Sequence, residues 1–182
     1  MWGDFLEAFA MVFVAEVGDK TQLMLMTLAA KYTMMQMVLG ILLGVTINHG
    51  AAVCLGCFLS GMIDQGLLQI FAGMVFIIFG IITIVFDEDS DSSSNFRFGP
   101  VLTTALTFLL GEIGDKTQLT AMTLAMEAAH PVLVLAGSVS GMLVIGILGI
   151  FIGSSLTRNI PSYIIKTISG LVFILFGLMR LV

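Results

Sequence analysis

The sequence predicts an all-α integral membrane protein with six transmembrane helices, arranged as two inverted three-helix repeats. Three features predict this fold class: the composition, a series of long apolar runs, and an acidic motif that occurs twice. Of the 182 residues, 58% are hydrophobic and 10% are charged, against about 25% charged residues in soluble domains; the mean hydropathy is +1.11. Such a chain has too little polar surface to cover itself in water, so lipid must surround most of its length.

Six long apolar runs are bounded by glycine, proline and charged residues. They lie near 5–30, 34–59, 66–86, 99–126, 131–155 and 161–181. Each is long enough for the roughly 20 residues that a helix needs to cross a bilayer. The last three begin at prolines, which the first helical turn tolerates: Pro100, Pro131 and Pro161. Because the runs use nearly the whole chain, we expect a single membrane domain, 1–182.

One polar segment, 87–98, separates the first three runs from the last three. Its Asp87–Glu88–Asp89–Ser90–Asp91 stretch supplies much of the net charge of −5, so the charge is local and does not indicate nucleic-acid binding. We expect a solvated linker between repeat one, 1–86, and repeat two, 99–182; gathering cations at the membrane surface is the alternative role. Residues 1–7 lack the basic start and cleavage site of a signal peptide, so the first helix should be retained.

The two halves share a sequence repeat. Ten residues recur at an offset of 96, the difference between positions 16 and 112. They are Glu16, Gly18, Asp19, Lys20, Thr21, Gln22, Leu23, Met26, Thr27 and Leu28, which match Glu112, Gly114, Asp115, Lys116, Thr117, Gln118, Leu119, Met122, Thr123 and Leu124. Further along, Gly40, Gly44, Gly56, Gly73 and Gly80 match Gly137, Gly141, Gly153, Gly170 and Gly177. We expect the paired glycines to allow close helix contacts.

Three crossings bring a unit to the opposite side of the membrane, so the second copy must insert upside down. Many secondary transporters use such an inverted repeat to place a site at the midplane and open it to each side in turn. Lysine and arginine near the run ends set the orientation. Four fall on one side and one on the other: Lys31, Arg97, Arg158 and Lys166 against Arg180. The sequence therefore predicts a cytoplasmic linker and both termini outside.

Each motif places ionisable groups deep in an apolar run. Glu16 lies near the centre of 5–30, and Glu112 lies near the centre of 99–126. An ionised side chain at that depth costs about 2.5–3.5 kcal/mol on insertion scales, so something must compensate for it. In a continuous helix, the acids at i and i+3 share a face and the lysine at i+4 is within reach of the first acid. The glycine between the acids allows the backbone to bend or open.

The four motif acids are the candidate metal ligands: Glu16, Asp19, Glu112 and Asp115. The candidate supporting residues add counter-charge, oxygens or backbone freedom: Lys20, Lys116, Thr21, Thr117, Gln22, Gln118, Gly18 and Gly114. Four carboxylates and two lysines complement one divalent cation. Oxygen ligands suit Ca²⁺ and Mn²⁺, and Mg²⁺ less because it dehydrates reluctantly. Protons compete with metal for these oxygens, so the hypothesis is proton-coupled exchange of a cation substrate, with no permanently bound cofactor.

At these motifs the sequence resembles a known family, the MneA-type manganese exporters of bacteria and their Golgi and chloroplast relatives, the calcium:cation antiporter-two transporters. Members carry two copies of Glu-x-Gly-Asp-Lys/Arg-Thr/Ser in two three-helix halves with an acidic linker, and both copies here match in full. The resemblance covers the whole chain. It implies export of manganese or calcium from the cytosol in exchange for protons, with the motif acids as ligands. Lack of the organellar N-terminal extension implies a bacterial plasma (inner) membrane protein.

Some polar residues in the apolar runs have weaker interpretations. Asn48 is a candidate for lining the pathway with His49, although an interhelical hydrogen bond is the favoured interpretation. Cys54 and Cys57 have redox or metal spacing, but they lie in an apolar helix where ordinary packing is favoured. The 13 methionines are typical of packing more than of soft-metal binding.

Other functional classes remain as alternatives. Intramembrane ion pairs, Glu16 with Lys20 and Glu112 with Lys116, would be purely structural, but each motif has one acid to spare. A LysE-like exporter of another solute, an amino acid or a softer metal, is the second choice on the same architecture. An enzyme is disfavoured because no nucleophile lies beside a positioned histidine. A scaffold has no use for charge at the bilayer centre.

Overall fold

The computed structural model describes residues 2–17, 19–29, 31–62, 64–85, 98–159 and 162–181. Within these ranges the chain forms eight helices: α1 (Trp2–Glu16), α2 (Lys20–Ala29), α3 (Met34–Ser60), α4 (Gln65–Val85), α5 (Pro100–Gly111), α6 (Lys116–Glu127), α7 (Pro131–Asn159) and α8 (Ser162–Leu181). The all-helical prediction is confirmed. Three features of the sequence analysis, the linker up to Arg97, Gly18 and Pro161, lie outside the described residues.

Four of the apolar runs correspond to single helices with nearly the expected bounds. The run 34–59 is α3, which Thr33 caps: its hydroxyl accepts from the Gln36 backbone N–H at 3.5 Å, and the Gln36 side chain accepts from the Thr33 N–H at 3.0 Å. Such a capping box fixes a helix start. Helices α4, α7 and α8 correspond to the runs 66–86, 131–155 and 161–181.

The other two runs are not continuous helices. The run 5–30 is broken between α1 and α2, and the run 99–126 is broken between α5 and α6. The motif acids therefore do not share one face of an unbroken helix, and the backbone opens in the second motif at Gly114, as its glycine allows. Each break falls within a motif, so in each half one acid ends the first helix and the other precedes the second.

Two helices in the described part of the chain are long and apolar enough to cross a membrane, Met34–Ser60 and Pro131–Phe151. Shorter apolar helical segments are Ile70–Ile82, Pro100–Gly111 and Gly170–Met179. Large apolar side chains are also exposed on the outer faces of helices, among them Leu171 and Leu175 of α8. A continuous apolar exterior suits lipid, and these features agree with a membrane protein.

The broken helix of each half packs against the long helix of the other half. Helix α1 lies along α7, and α5 lies along α3, while α4 pairs with α8. Glycines make these approaches close: a Cβ on Gly137 would collide with the Phe5 backbone, and a Cβ on Gly44 would collide with the Ala105 carbonyl oxygen. The predicted close packing at these glycines is confirmed. The crossed packing brings the two breaks towards one another.

Two clusters of buried apolar side chains flank the breaks. One includes Ala15, Phe76 and Phe173, and the other includes Val12, Phe108 and Met142. Both clusters draw on both halves of the chain, so the halves share their cores. This packing surrounds the polar motif residues with apolar side chains and withdraws them from solvent.

Candidate functional site

The two breaks in the helices have the same local hydrogen bond. The Asp19 N–H donates to the Glu16 carbonyl oxygen at 3.3 Å, and the Asp115 N–H donates to the Glu112 carbonyl oxygen at 3.2 Å. In the second break Gly114 has φ of +74°, a left-handed conformation that glycine adopts without the cost of a Cβ. The motif glycine is therefore required by the turn.

Asp115 caps the helix that follows the second break. Its Oδ2 accepts from the Thr117 backbone N–H at 3.4 Å and from the Thr117 hydroxyl at 3.3 Å. A carboxylate in this position interacts favourably with the positive end of the helix dipole. Asp19 directly precedes α2 in the same way. The break thus supplies each aspartate with partial positive charge that a continuous helix could not offer.

Contacts across the repeat bring the two motifs together. The Thr21 hydroxyl donates to Glu112 Oε1 at 2.9 Å, and the Lys116 ammonium forms an ion pair with Asp19 Oδ2. Both contacts join one half of the chain to the other. The helical spacing suggests a pair between Lys116 and Glu112 within the second motif. In the structure Lys116 pairs with Asp19 of the opposite half.

Three of the motif acids form a compact group. Glu16, Asp19 and Asp115 each offer a carboxylate oxygen, and these oxygens all lie within 4.8 Å of one another. Glu112 lies outside this group, but the hydroxyl of Thr21 in the first motif bonds it. The structure therefore gathers three of the four predicted ligands closely and joins the fourth to the other motif. Like charges at such separations repel strongly in a medium of low dielectric constant, so the group attracts cations.

The acids in this group are withdrawn from solvent. Glu16 is 0% exposed and Asp115 is 6% exposed, and the Asp19 side chain is 5% exposed. Neither carboxylate oxygen of Glu16 has a hydrogen-bond partner among the described residues. A buried carboxylate without such a partner is costly. A bound cation or proton would remove that cost.

The supporting residues hold the second break in place. Gln118 accepts from the Gly114 N–H at 2.6 Å, and its Nε2 donates to the Asn48 carbonyl oxygen of α3 at 3.5 Å. Of the other predicted supporting residues, Thr21 and Thr117 bond the motif acids as described above. The side chains of Lys20 and Gln22, like Gly18, lie outside the described part of the structure.

Asn48 and His49 are buried next to this region, at 2% and 0% exposure. Their side-chain polar atoms have no hydrogen-bond partner among the described residues, so the favoured interhelical side-chain bond stays a prediction. Cys54 is exposed and Cys57 is partly buried, both are free thiols, and neither belongs to the group of acids.

Sequence reasoning missed two polar features. Buried threonines of α5 and α6 donate their hydroxyls to carbonyl oxygens one turn back: Thr104, Thr107, Thr120 and Thr123. The threonine spacing of three or four residues along α5 and α6 was the available signal.

A cavity of about 160 Å³ is lined by Asp4, Glu7 and Glu127, among others. No sequence signal links those three acids, because the fold brings them together from helices distant in sequence.

Comparison with known proteins decides the family. The model of the divalent cation/proton antiporter GDT1 matches residues 4–91 and 100–182. The chain belongs to the GDT1 family. Its members are cation/proton antiporters, so this family member is a membrane transporter and not an enzyme. The resemblance noted at the motifs is confirmed, and the gap in the match follows the acidic stretch of the linker.

Individual relatives agree with this assignment. A provisionally named manganese exporter of Vibrio cholerae serotype O1 is 30% identical over 170 residues, which cover 92% of this chain and 84% of the relative. GDT1-like protein 5 of Oryza sativa subsp. japonica is 26% identical over 217 residues, 97% of this chain and 93% of the relative. GDT1-like protein sll0615 of Synechocystis is 37% identical over 82 residues, 45% of this chain and 40% of the relative. No solved structure matches this GDT1 chain.

Proposed function

We propose that the protein exports a divalent cation from the cytosol in exchange for protons, with Mn²⁺ as the first substrate and Ca²⁺ as the second. Glu16, Asp19, Glu112 and Asp115 are the proposed ligands. The observation that carries the proposal is the approach of carboxylates from both halves, whose oxygens lie within 4.8 Å of one another. The relative named for manganese export supports Mn²⁺ as the first ion to test.

The charge of the group supports a divalent substrate. Glu16, Asp19 and Asp115 carry three negative charges when ionised, and the ammonium of Lys116 pairs with Asp19. The resulting net charge of minus two is neutralised by one divalent cation. Carboxylates are ligands for hard cations, and a softer metal would call for thiolates. Neither cysteine belongs to the group, which supports a hard cation over the softer-metal alternative.

Exchange follows from competition for the same oxygens. A carboxylate must lose its proton to bind a metal ion, so metal binding releases protons and proton binding releases metal. In a buried group of acids, one of these two occupants is needed to offset the mutual repulsion. We propose that the carrier moves between its two orientations loaded with the cation in one direction and with protons in the other.

Lys116 is proposed to neutralise the group when the cation is absent. Its ammonium pairs with Asp19, one of the three acids that form the cation group. An arriving cation therefore has to displace the ammonium from Asp19, which limits affinity and favours release on the far side.

The two halves are proposed to act as an inverted repeat of six spans within a single membrane domain, 1–182. The crossed packing of α1 on α7 and of α5 on α3 is what a twofold relation between the halves would produce. Alternating access then moves one half against the other around the shared acids. We place the protein in a bacterial inner membrane with both termini outside and the linker in the cytoplasm.

Transport by purified protein in proteoliposomes tests the proposal. A pH-sensitive dye reports protons, while Mn²⁺, Ca²⁺, Co²⁺ and an amino acid are supplied in turn. We expect Mn²⁺ and Ca²⁺ to drive proton movement, and Glu16→Gln and Asp115→Asn to abolish it. Asp64→Asn is the matched control, because Asp64 is exposed and bonds only the nearby Gly66 N–H among the contacts described for it. Normal Mn²⁺ flux in both motif variants would refute the ligand assignment.

A further inference from the structure

His49 follows Asn48, which Gln118 of α6 bonds, and it has no counterpart in the repeat. It is on α3, its side chain is fully buried, and both ring nitrogens lack a hydrogen-bond partner in the described part of the chain. We propose that His49 supplies an imidazole nitrogen to the transported cation and makes the site prefer first-row transition metals over Ca²⁺. This proposal rests on the proposed cation transport and adds a specificity-determining residue to it.

Hydrogen bonds link the turn of α3 that carries His49 to the second break. The preceding residue, Asn48, accepts a hydrogen bond from Gln118 through its carbonyl oxygen, and Gln118 also bonds the Gly114 N–H in the break. Gln118 thus ties this turn of α3 to the segment that carries Asp115.

The burial of His49 is costly unless the imidazole has a partner. A polar group taken out of water without a compensating hydrogen bond costs about 1–3 kcal/mol by mutational measures. The residue at the matching position of the second half is Gly146, which shows that the packing between repeats does not by itself require an imidazole here. A ligand that accepts the nitrogen lone pair would offset the cost.

The chemistry of the donor determines which cation benefits. Ca²⁺ and Mg²⁺ take oxygen ligands, so replacing one oxygen by a nitrogen weakens their binding. First-row transition ions accept imidazole, and their affinity for such a site rises from Mn²⁺ through Fe²⁺ and Co²⁺. A carboxylate group with one imidazole therefore discriminates against Ca²⁺ without excluding Mn²⁺.

His49 joins the coordination shell when the ion binds. In the structure the imidazole is outside the set of ligand atoms that lie within 4.8 Å of one another. Displacement of the Lys116 ammonium by the cation frees Asp19 to reorganise. The proposed change is a short approach of α3 to the start of α6, which Gln118 already connects.

Electron paramagnetic resonance of bound Mn²⁺ tests this directly in the unmodified protein. The full chain, with ¹⁵N in its histidine rings, is loaded with one equivalent of Mn²⁺, and ¹⁵N couplings to the metal are measured. The sequence has two histidines, so His130→Asn removes the other source of signal. We expect a directly coordinated ring nitrogen that persists in His130→Asn. Bound Mn²⁺ without any ring-nitrogen coupling would overturn the assignment of His49 while leaving the carboxylate site intact.

Selectivity provides the second test. In His49→Asn, an amide oxygen replaces the nitrogen, and the ratio of Mn²⁺ to Ca²⁺ transport should fall, because oxygen donors suit Ca²⁺ better than imidazole does. Thr46→Ala is the matched control, since Thr46 is an exposed polar residue one turn back on α3, and its ratio should stay unchanged. An unaltered ratio in an active His49→Asn carrier would contradict the proposal. If neither metal binds the unmodified protein, the proposed transport itself fails.

Discussion

The first and second motifs have the same residues around their breaks but different partners. The Thr21 hydroxyl crosses to Glu112 of the other half at 2.9 Å, whereas the Thr117 hydroxyl stays on its own Asp115 at 3.3 Å. A repeat that behaved identically in both halves would show the same contact twice. The difference indicates that the two motifs, although alike in sequence, adopt different hydrogen-bonded arrangements. In an alternating-access transporter, the two halves would exchange these arrangements.

The largest expected effect comes from comparing the two glutamates. Glu16 belongs to the group of acids and Glu112 does not, so Glu16→Gln should abolish Mn²⁺ binding, while Glu112→Gln should retain weakened binding. We expect at least a hundredfold loss for Glu16→Gln, about 2.7 kcal/mol or more. Equilibrium dialysis with Mn²⁺ measures both. Equal losses of Mn²⁺ affinity in the two variants would show that both glutamates contribute equally to binding. The difference in their positions would then have no effect on affinity.

The next effect concerns Lys116. In Lys116→Met the acids lose the ammonium that pairs with Asp19, and leaving a buried charge unpaired destabilises a protein by about 3–5 kcal/mol. A bound cation then becomes the main positive charge that offsets the repulsion between the acids. Mn²⁺ should therefore raise the melting temperature more in the variant than in the unmodified protein. Lys116→Arg keeps the charge and serves as control. A melting temperature insensitive to the loss of the lysine would contradict this role.

A smaller effect distinguishes the two threonines. Thr21→Val removes a hydrogen bond to the Glu112 carboxylate, and hydrogen bonds to charged groups contribute about 1.5–3 kcal/mol. Thr117→Val removes only a longer bond within its own break and should cost less than half as much. Denaturant unfolding in detergent compares the pair. The comparison fails if Thr117→Val is the more destabilising change.

The smallest effect concerns Gly114. With φ of +74° and no atom within 4 Å of an added Cβ, Gly114→Ala pays only the backbone cost of the left-handed conformation, about 1–2 kcal/mol. Gly50→Ala is the matched control, because Gly50 lies within α3 and also has open space around it. That change should be neutral or stabilising. Thermal unfolding of the two variants gives the difference.

The helices were largely predictable because their signals are local. Long apolar runs and a capping threonine set α3, and Pro100 and Pro131 begin α5 and α7 as their missing N–H groups allow. The repeat identified the four acids because residues expensive to bury occurred twice at one spacing. The helices and the four acids could be predicted without knowing which helices pack against each other.

The full breaks and the cross-repeat contacts were not predictable in the same way. The motif glycine allowed the backbone to bend or open, but the apolar runs continue through both motifs and do not distinguish a bend from a break. The bond from Thr21 to Glu112 joins residues 91 positions apart and depends on how the two halves pack together. His49 carried no repeat signal, so the link between its turn of α3 and the second break emerged only from the fold.

The crossed packing of the halves has a consequence for how such a chain could arise. Since α1 is covered by α7 and α5 by α3, a lone three-helix segment would leave the first part of its interrupted helix without its main packing partner. An ancestor with a single copy would have needed a second molecule in the opposite orientation to complete the assembly. Separately expressed segments 1–86 and 99–182 should accordingly be degraded alone and accumulate only when produced in the same cell.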